Sequence, residues 1–280
     1  MNLMRSAIYG LAIGDALGVP FEFKARGTYT ATDMTGYGTH FQPAGTWSDD
    51  TSMTIATCAS IKRKRAIDCS DIMKNFHDWY YNGVYTPDGT VFDIGNTTSQ
   101  AICNYHNGEN PINCGVRSVN ANGNGSLMRI LPLAFVDCTE KEICNVSKLT
   151  HAHEISLKAC CIYVDIAKKL LHGESIKGIL TSLNYKAPFN RLQNLEMLSR
   201  ESIQSSGYVV HTLEAALWCL STTDSFEQCV LKAVNLGDDT DTTAAVTGGL
   251  AGIVYGYDSI PKNWILILRN KEAIEKTLFA

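Results

Sequence analysis

The chain has no CxxC pair, no apolar run of the roughly 18 residues needed to span a bilayer, and no stretch rich in proline, glycine and serine that reads as a linker. Alternating strand-like runs are scarce, no βαβ rhythm appears, and no internal repeat is found. It also lacks an excess of positive charge. With 24 Lys and Arg against 28 Asp and Glu, the formal net charge is −4. That balance supplies no general attraction to nucleic acid or an anionic membrane surface. The one basic run, Lys62-Arg63-Lys64-Arg65, follows an apolar helical stretch and reads as a solvated helix end. Ten cysteines are scattered, with Cys160 and Cys161 adjacent, and no apolar signal segment precedes them. We expect reduced thiols in a cytoplasmic protein.

What remains is helical. Ile155, Ala159, Ile162, Ile166 and Leu170 recur at helical spacing, as do Leu213, Ala216, Leu217 and Leu220. Phe226, Val230, Ala233 and Val234 form a third face, opened by Asp224 with Glu227 three residues on as a capping box; Thr139 and Glu142 repeat the box ahead of 140–149. With 280 residues, 45% of them hydrophobic, the chain can bury a sizeable core. The expectation is an all-α protein with one domain over 1–280, compatible with a monomer, and loop-rich at 24–46, 83–98 and 107–125.

Two segments space glycine every fourth residue: Gly10, Gly14 and Gly18, then Gly248, Gly252 and Gly256. Each such glycine weakens a helix by about 1 kcal/mol relative to alanine. Close approach of another backbone offsets that cost. Both segments are therefore expected to be buried central helices, neighbours that bring the chain ends together.

"TWSDDTSMT" places Asp49 and Asp50 side by side after Ser48. Taken alone, this is a helix start: Ser48 caps, and the acids meet the positive end of the helix dipole. "NLGDDTDTTAAVTGGLAG" changes the balance. Asp238, Asp239 and Asp241, interleaved with Thr240, Thr242 and Thr243, stand at the mouth of the second glycine-spaced helix. A cap needs one such residue. Two oxygen-rich helix starts, far apart in sequence, describe a hard-cation site for Mg²⁺ or Mn²⁺, and five or so ligands suffice for two ions about 3.5–4 Å apart. Zinc fits less well, since neither cysteine nor histidine is interleaved.

Three further stretches stand out. In "NANGNGSLMRILPLAF", Asn124, Gly125 and Ser126 form a small-residue turn ahead of an expected apolar helix, where backbone N–H groups suit phosphate oxygens. Arg129, one turn later, is open to a carboxylate or a phosphate. In "FDIGNTTS", Asp93 sits at a loop-to-helix junction and reads as a cap unless context says otherwise. In "LTHAHEIS", His151 and His153 form an HxH pair whose rings diverge if a helix starts there.

Together these stretches resemble the ADP-ribosylglycohydrolase family. The motifs "GLAIGDALGVPFEF", "GTWSDDTSMT", "DIGNTT", "NGSLMRILPLAF", Thr150-His151 and "GDDTDTTAAVTGGLAGIVYG" follow the family's order across residues 10 to 256. The resemblance implies an all-α domain with a dinuclear Mg²⁺ or Mn²⁺ site at the bottom of a cleft. It implies Ser48, Asp49, Asp50, Asp239, Asp241 and Thr242 as metal ligands, with Asp50 also in the catalytic set. Glu22 matches a flap glutamate that gates access, and Asp93 a residue proposed as catalytic base. Asn124, Gly125, Ser126 and His151 match the wall of an ADP-ribose cleft. Ser48 stands where threonine is commoner, and Asp238 where glycine is usual; neither departure removes a ligand.

The implied reaction is hydrolysis at the anomeric carbon of the distal ribose, through a transition state of oxocarbenium character. The implied substrate is an ADP-ribosylated protein or an ADP-ribose-containing small molecule, with the arginine linkage favoured. Serine-linked or small ADP-ribosyl compounds are alternatives. Others are a two-metal phosphohydrolase and a noncatalytic ADP-ribose-binding protein that neutralises a toxin.

Overall fold

A computed structural model describes residues 2–280. Twelve α-helices are found among them, joined by loops and 3-10 turns, with three isolated bridges and no strand. The all-α expectation is borne out. No helix among the described residues is long and apolar enough to cross a membrane.

Helices α1 (Leu3–Gly18) and α10 (Thr240–Tyr255) form the centre. Nearly every residue of both is buried, so neither has the polar stripe of a surface helix. They run antiparallel with backbones almost touching. A Cβ on Gly10 would lie 2.2 Å from the Gly248 carbonyl oxygen, on Gly14 2.0 Å from that of Ala244, and on Gly252 2.2 Å from that of Ser6. Gly18 extends the seam to Asp241, whose Cα would sit 2.3 Å from an added Cβ. The glycine spacing was therefore a packing signal, with one correction: Gly256, at φ +80, terminates α10 instead of joining the seam.

Around this pair pack α2 (Asp49–Lys64), α8 (Val209–Ser221), α9 (Phe226–Val234) and α6 (Glu154–Leu171). Helices α3 (Cys69–Asn82), α4 (Asn96–His106) and α5 (Glu140–Lys148) lie outside α2 and α6; α7 (Ile176–Ser182) packs beside α6 and α8. The short α11 (Lys262–Ile267) and α12 (Lys271–Thr277) return the chain to its start, where Arg5 Nε donates to Glu275 at 2.8 Å and Asn2 to the Ala280 carbonyl at 2.7 Å. The chain ends meet as the glycine pattern required.

Several local expectations shift. Thr139 and Glu142 do form a capping box on α5. Asp224 does not cap α9: Ser225 accepts from the Gln228 N–H at 3.2 Å, one residue later than the acidic spacing suggested. The apolar run after Ser126 is not an α-helix. Residues Asn124–Ser126 and Leu131–Phe135 are separate 3-10 turns, the second with a proline at its start, where no N–H is needed. The run Lys62 to Arg65 is exposed at the end of α2, as expected of a solvated helix end.

Candidate active site

The starts of α2 and α10 converge. Ser48 has extended backbone angles and caps α2, its hydroxyl facing the Asp50 N–H at 3.4 Å and donating to Asp50 Oδ2 at 3.0 Å. Asp49 and Asp50 follow in the first turn, both buried. So far the capping reading holds. The start of α10 breaks it, because Asp239 occupies the cap position and makes no side-chain capping bond. Asp241 is completely buried, and neither of its carboxylate oxygens has a hydrogen-bond partner; Oδ1 of Asp50 and Oδ1 of Asp239 are also orphaned. Thr242 joins the two clusters, its hydroxyl 3.4 Å from Asp50 Oδ2 across 192 positions of sequence.

Orphaned buried carboxylate oxygens are expensive unless a cation meets them. Two sets of oxygens converge closely enough for one. Asp15, Asp50 and Asp241 each offer an oxygen within 4.8 Å of the others, and so do Glu22, Asp239 and Asp241. Asp241 belongs to both. The donors are carboxylates with Ser48 and Thr242 hydroxyls beside them, a hard oxygen set that suits Mg²⁺ or Mn²⁺.

The electrostatics agree. Burial, then repulsion from neighbouring carboxylates, holds the carboxyls of Asp49, Asp50 and Asp241 well above the usual range. Burial also raises Asp239. Glu22 is raised to about 8 by burial and the Asp239 charge, and Asp93 to about 7, mainly by burial. Beside them lies the His40 ring, whose Nε2 contacts Glu22 Oε2 and lies 3.7 Å from Asp93 Oδ1.

Above the carboxylates opens a cleft of about 340 Å³, lined by Glu22, Phe23, Asp49, Asp93, Asn124 and His151, among others. Asp93 is no helix cap. It holds a left-handed backbone at φ +63, and the cap position of α4 falls two residues later, at Gly95, which has no side chain to bond with.

The cleft wall departs from expectation in two places. Asn124 faces the carboxylates, donating to Asp239 Oδ2 at 2.8 Å and to the Thr212 hydroxyl at 2.9 Å. Gly125 is required where it stands, since a Cβ there would lie 2.8 Å from Thr98 Oγ1 and 2.9 Å from His151 Cε1. Ser126 turns its hydroxyl inward, accepting from Ser147 at 2.9 Å, and its side chain is not part of the wall. Arg129 faces neither a carboxylate nor the cleft. It is fully buried over the Phe76 ring, donating to Thr150 Oγ1 at 2.8 Å and toward the Val146 carbonyl. Burial lowers it to about 10. Thr150 in turn meets His151 Nδ1 at 2.8 Å, so Arg129 supports the wall from behind. Burial and the Arg129 charge lower His151 to about 3, keeping the ring neutral. His153 diverges from it to cap α6.

Asp238 is exposed, with a left-handed backbone at φ +59. Its N–H donates to the Lys24 carbonyl at 3.0 Å, and its carbonyl accepts from the Phe23 N–H at 2.7 Å. Glycine suits that backbone, and aspartate is among the residues that tolerate it. Its charge is not part of the cluster.

Two residues escaped the sequence reading. Asp15, on α1, is wholly buried and accepts from the Ser48 N–H at 2.9 Å, the Thr51 N–H at 3.0 Å and the Thr51 hydroxyl at 2.6 Å. It clamps the start of α2 to α1. Burial raises it to about 6, against the pull of those bonds. Its signal was present: a carboxylate inside an apolar, glycine-stacked helix has to be satisfied by something. His40 carried no such signal, lying in a polar loop.

An all-α fold with clustered buried carboxylates that could hold a cation beside a cleft defines a class of candidate metal-assisted hydrolases. A family model for ADP-ribosylglycohydrolase matches residues 2–280, and the chain belongs to that family. It is 34% identical to the ADP-ribosylarginine hydrolase Tri1 of Serratia proteamaculans, over 98% of this chain and 77% of that protein. It is 33% identical to the ADP-ribosyl-[dinitrogen reductase] glycohydrolase of Rhodospirillum rubrum, over 92% of this chain and 87% of that one. A solved structure described as an ADP-ribosylglycohydrolase-related protein complex superposes with a TM-score of 0.84 at 29% identity, covering 99% of this chain and 95% of that one.

Proposed function

We propose that the protein removes ADP-ribose from arginine side chains of modified proteins, with two Mg²⁺ or Mn²⁺ ions held by Ser48, Asp49, Asp50, Asp239, Asp241 and Thr242. The observation that carries the metal reading is Asp241, buried, unpartnered at both oxygens and common to two carboxylate sets. The arginine linkage is supported by two relatives whose names specify ADP-ribosylarginine. Ten free cysteines fit a reducing compartment, and we assign the protein to the cytoplasm, as a monomer.

When bound, the ions supply positive charge that fixes the vicinal ribose hydroxyls and acidifies a water. The chain does the rest. Asn124, Gly125 and His151 shape the wall that receives the ADP-ribose, and His151, being neutral, brings no charge to it. Glu22 and Asp93, both on the cleft beside the carboxylate cluster, are the side chains placed to hold and move a proton at the leaving group. That proton passes to the leaving guanidine nitrogen as its bond to the anomeric carbon breaks, water forms the new C–O bond at that carbon, and the proton the water loses restores the carboxyl group.

The test is Mn²⁺-dependent release of ADP-ribose from matched arginine-linked and serine-linked proteins, with Asp241→Ala as control. Release from the arginine linkage, lost in the variant while helical content is kept, is expected. Near-normal turnover by Asp241→Ala refutes the metal assignment, and release from the serine linkage alone refutes the substrate.

A further inference from the structure

Phe23 is an odd residue for a folded protein to keep as it is. Its ring is 70% exposed at the cleft mouth, and its backbone is left-handed at φ +62, a conformation that bulky residues rarely adopt. Such strain persists only where the surroundings enforce it. Here they do: the Phe23 N–H is tied to the Asp238 carbonyl at 2.7 Å, and the Asp238 N–H to the Lys24 carbonyl at 3.0 Å. The ring is held out over the cleft with little apolar burial in return.

The carboxylates of Glu22 and Asp93 line the same cleft, and both are tied to His40, whose Nε2 contacts Glu22 Oε2 and lies 3.7 Å from Asp93 Oδ1. His40 lies between them, its ring centroid 6.2 Å from that of Phe23 and 5.3 Å from that of Phe92. An exposed ring sharing a cleft with two carboxylates matches one kind of group: a planar cation that stacks on a ring and donates to oxygens at its edge. We propose that Phe23, on the cleft it shares with Glu22 and Asp93, is the specificity-determining contact for the arginine guanidinium of the modified protein.

This rests on the arginine reading above. A serine linkage presents no cation and gains nothing from the ring beyond apolar contact. The adenosine end of the substrate is left to other parts of the cleft.

The experiment compares wild type with Phe23→Ala, Phe23→Gly and Phe23→Tyr on arginine-linked and serine-linked proteins, in Mn²⁺. Binding of free ADP-ribose is followed by calorimetry. Loss of a cation–aromatic contact raises KM for the arginine-linked protein about tenfold in the alanine variant, with kcat within about twofold. Tyrosine restores KM; ADP-ribose affinity is unchanged in all variants. Phe23→Gly relieves the backbone strain but lacks the ring, so it is expected to behave like alanine. Recovery in the glycine variant shows that the backbone mattered, and overturns the proposal. An equal loss of ADP-ribose affinity assigns the ring to the nucleotide and also overturns it. Wild-type cleavage of the arginine linkage with an unchanged alanine variant overturns the proposal alone. Wild-type failure on that linkage overturns the arginine reading, and the proposal with it.

Discussion

Replacing Gly18 by alanine tests whether the central helix pair positions the carboxylates. The added Cβ would sit 2.3 Å from Asp241 Cα, 2.4 Å from its nitrogen and 2.5 Å from the Thr240 carbonyl oxygen. All three are backbone atoms, so no rotamer change relieves the clash. Ordinary contact begins at 3.4 Å, which requires the start of α10 to move by about 1 Å. A shift of that size at a reacting centre costs on the order of 100-fold in rate. Overpacking costs roughly 1–3 kcal/mol, and alanine's better helix propensity returns about 1 kcal/mol. The melting temperature should therefore fall by only a few degrees.

Gly10→Ala is the matched control. Its Cβ meets the Gly248 carbonyl oxygen at 2.2 Å, a comparable clash about 12 Å further along the helix at 1.5 Å per residue. Both variants should lose similar stability. Only Gly18→Ala should lose about 100-fold in kcat/KM for ADP-ribose release, together with most of the Mn²⁺-induced rise in melting temperature. The reasoning is refuted if Gly18→Ala keeps both, or if Gly10→Ala loses as much activity.

The buried acids supply two more tests. Asp15, Asp93 and Glu22 have folded-state values raised to about 6, 7 and 8, so the folded protein binds their protons more tightly than the unfolded chain. The associated stability is fully present below about pH 4 and is lost as pH rises through those values. Chelator-treated protein should melt lower at about pH 8 than at about pH 5, and saturating Mn²⁺ should narrow the gap; a melting temperature that rises with pH in chelator contradicts this. Asp15→Ala leaves three buried donors without their acceptor, which costs more than about 2 kcal/mol in denaturant unfolding. It should also weaken Mn²⁺ binding, whereas Asp15→Asn, keeping one acceptor oxygen, should fall between; wild-type stability in Asp15→Ala would contradict the clamp.

The helices were legible because their apolar faces repeat at about 3.6 residues, and the central pair because glycine is costly unless a backbone lies against it. Asp241 was legible by excess, since a cap needs one oxygen and three aspartates stood there. Arg129 was not. A charge next to a glycine-rich turn looks available to a ligand, and only the fold shows Phe76 and Thr150 already surrounding it. Ser126 failed for a related reason: hydroxyls are small enough to turn either way, and Ser147, 21 positions on, decides which. His40 depends on a loop whose path is set by contacts with Glu22, a relation that local periodicity cannot express.

The glycine seam and the acidic cluster are separate signals in the sequence, one of packing and one of chemistry. They meet at a single residue. Gly18 presses on the backbone of Asp241, and Asp15, one turn before Gly18 on the same helix, holds the start of α2 through Ser48 and Thr51. One helix therefore fixes both carboxylate-bearing termini, one by close approach and one by hydrogen bonds. Mutual repulsion would otherwise drive Asp50 and Asp241 apart whenever no cation is bound. Held by α1, the oxygens stay converged, so on the metal reading proposed above less of the binding energy of a cation would be consumed in gathering its ligands.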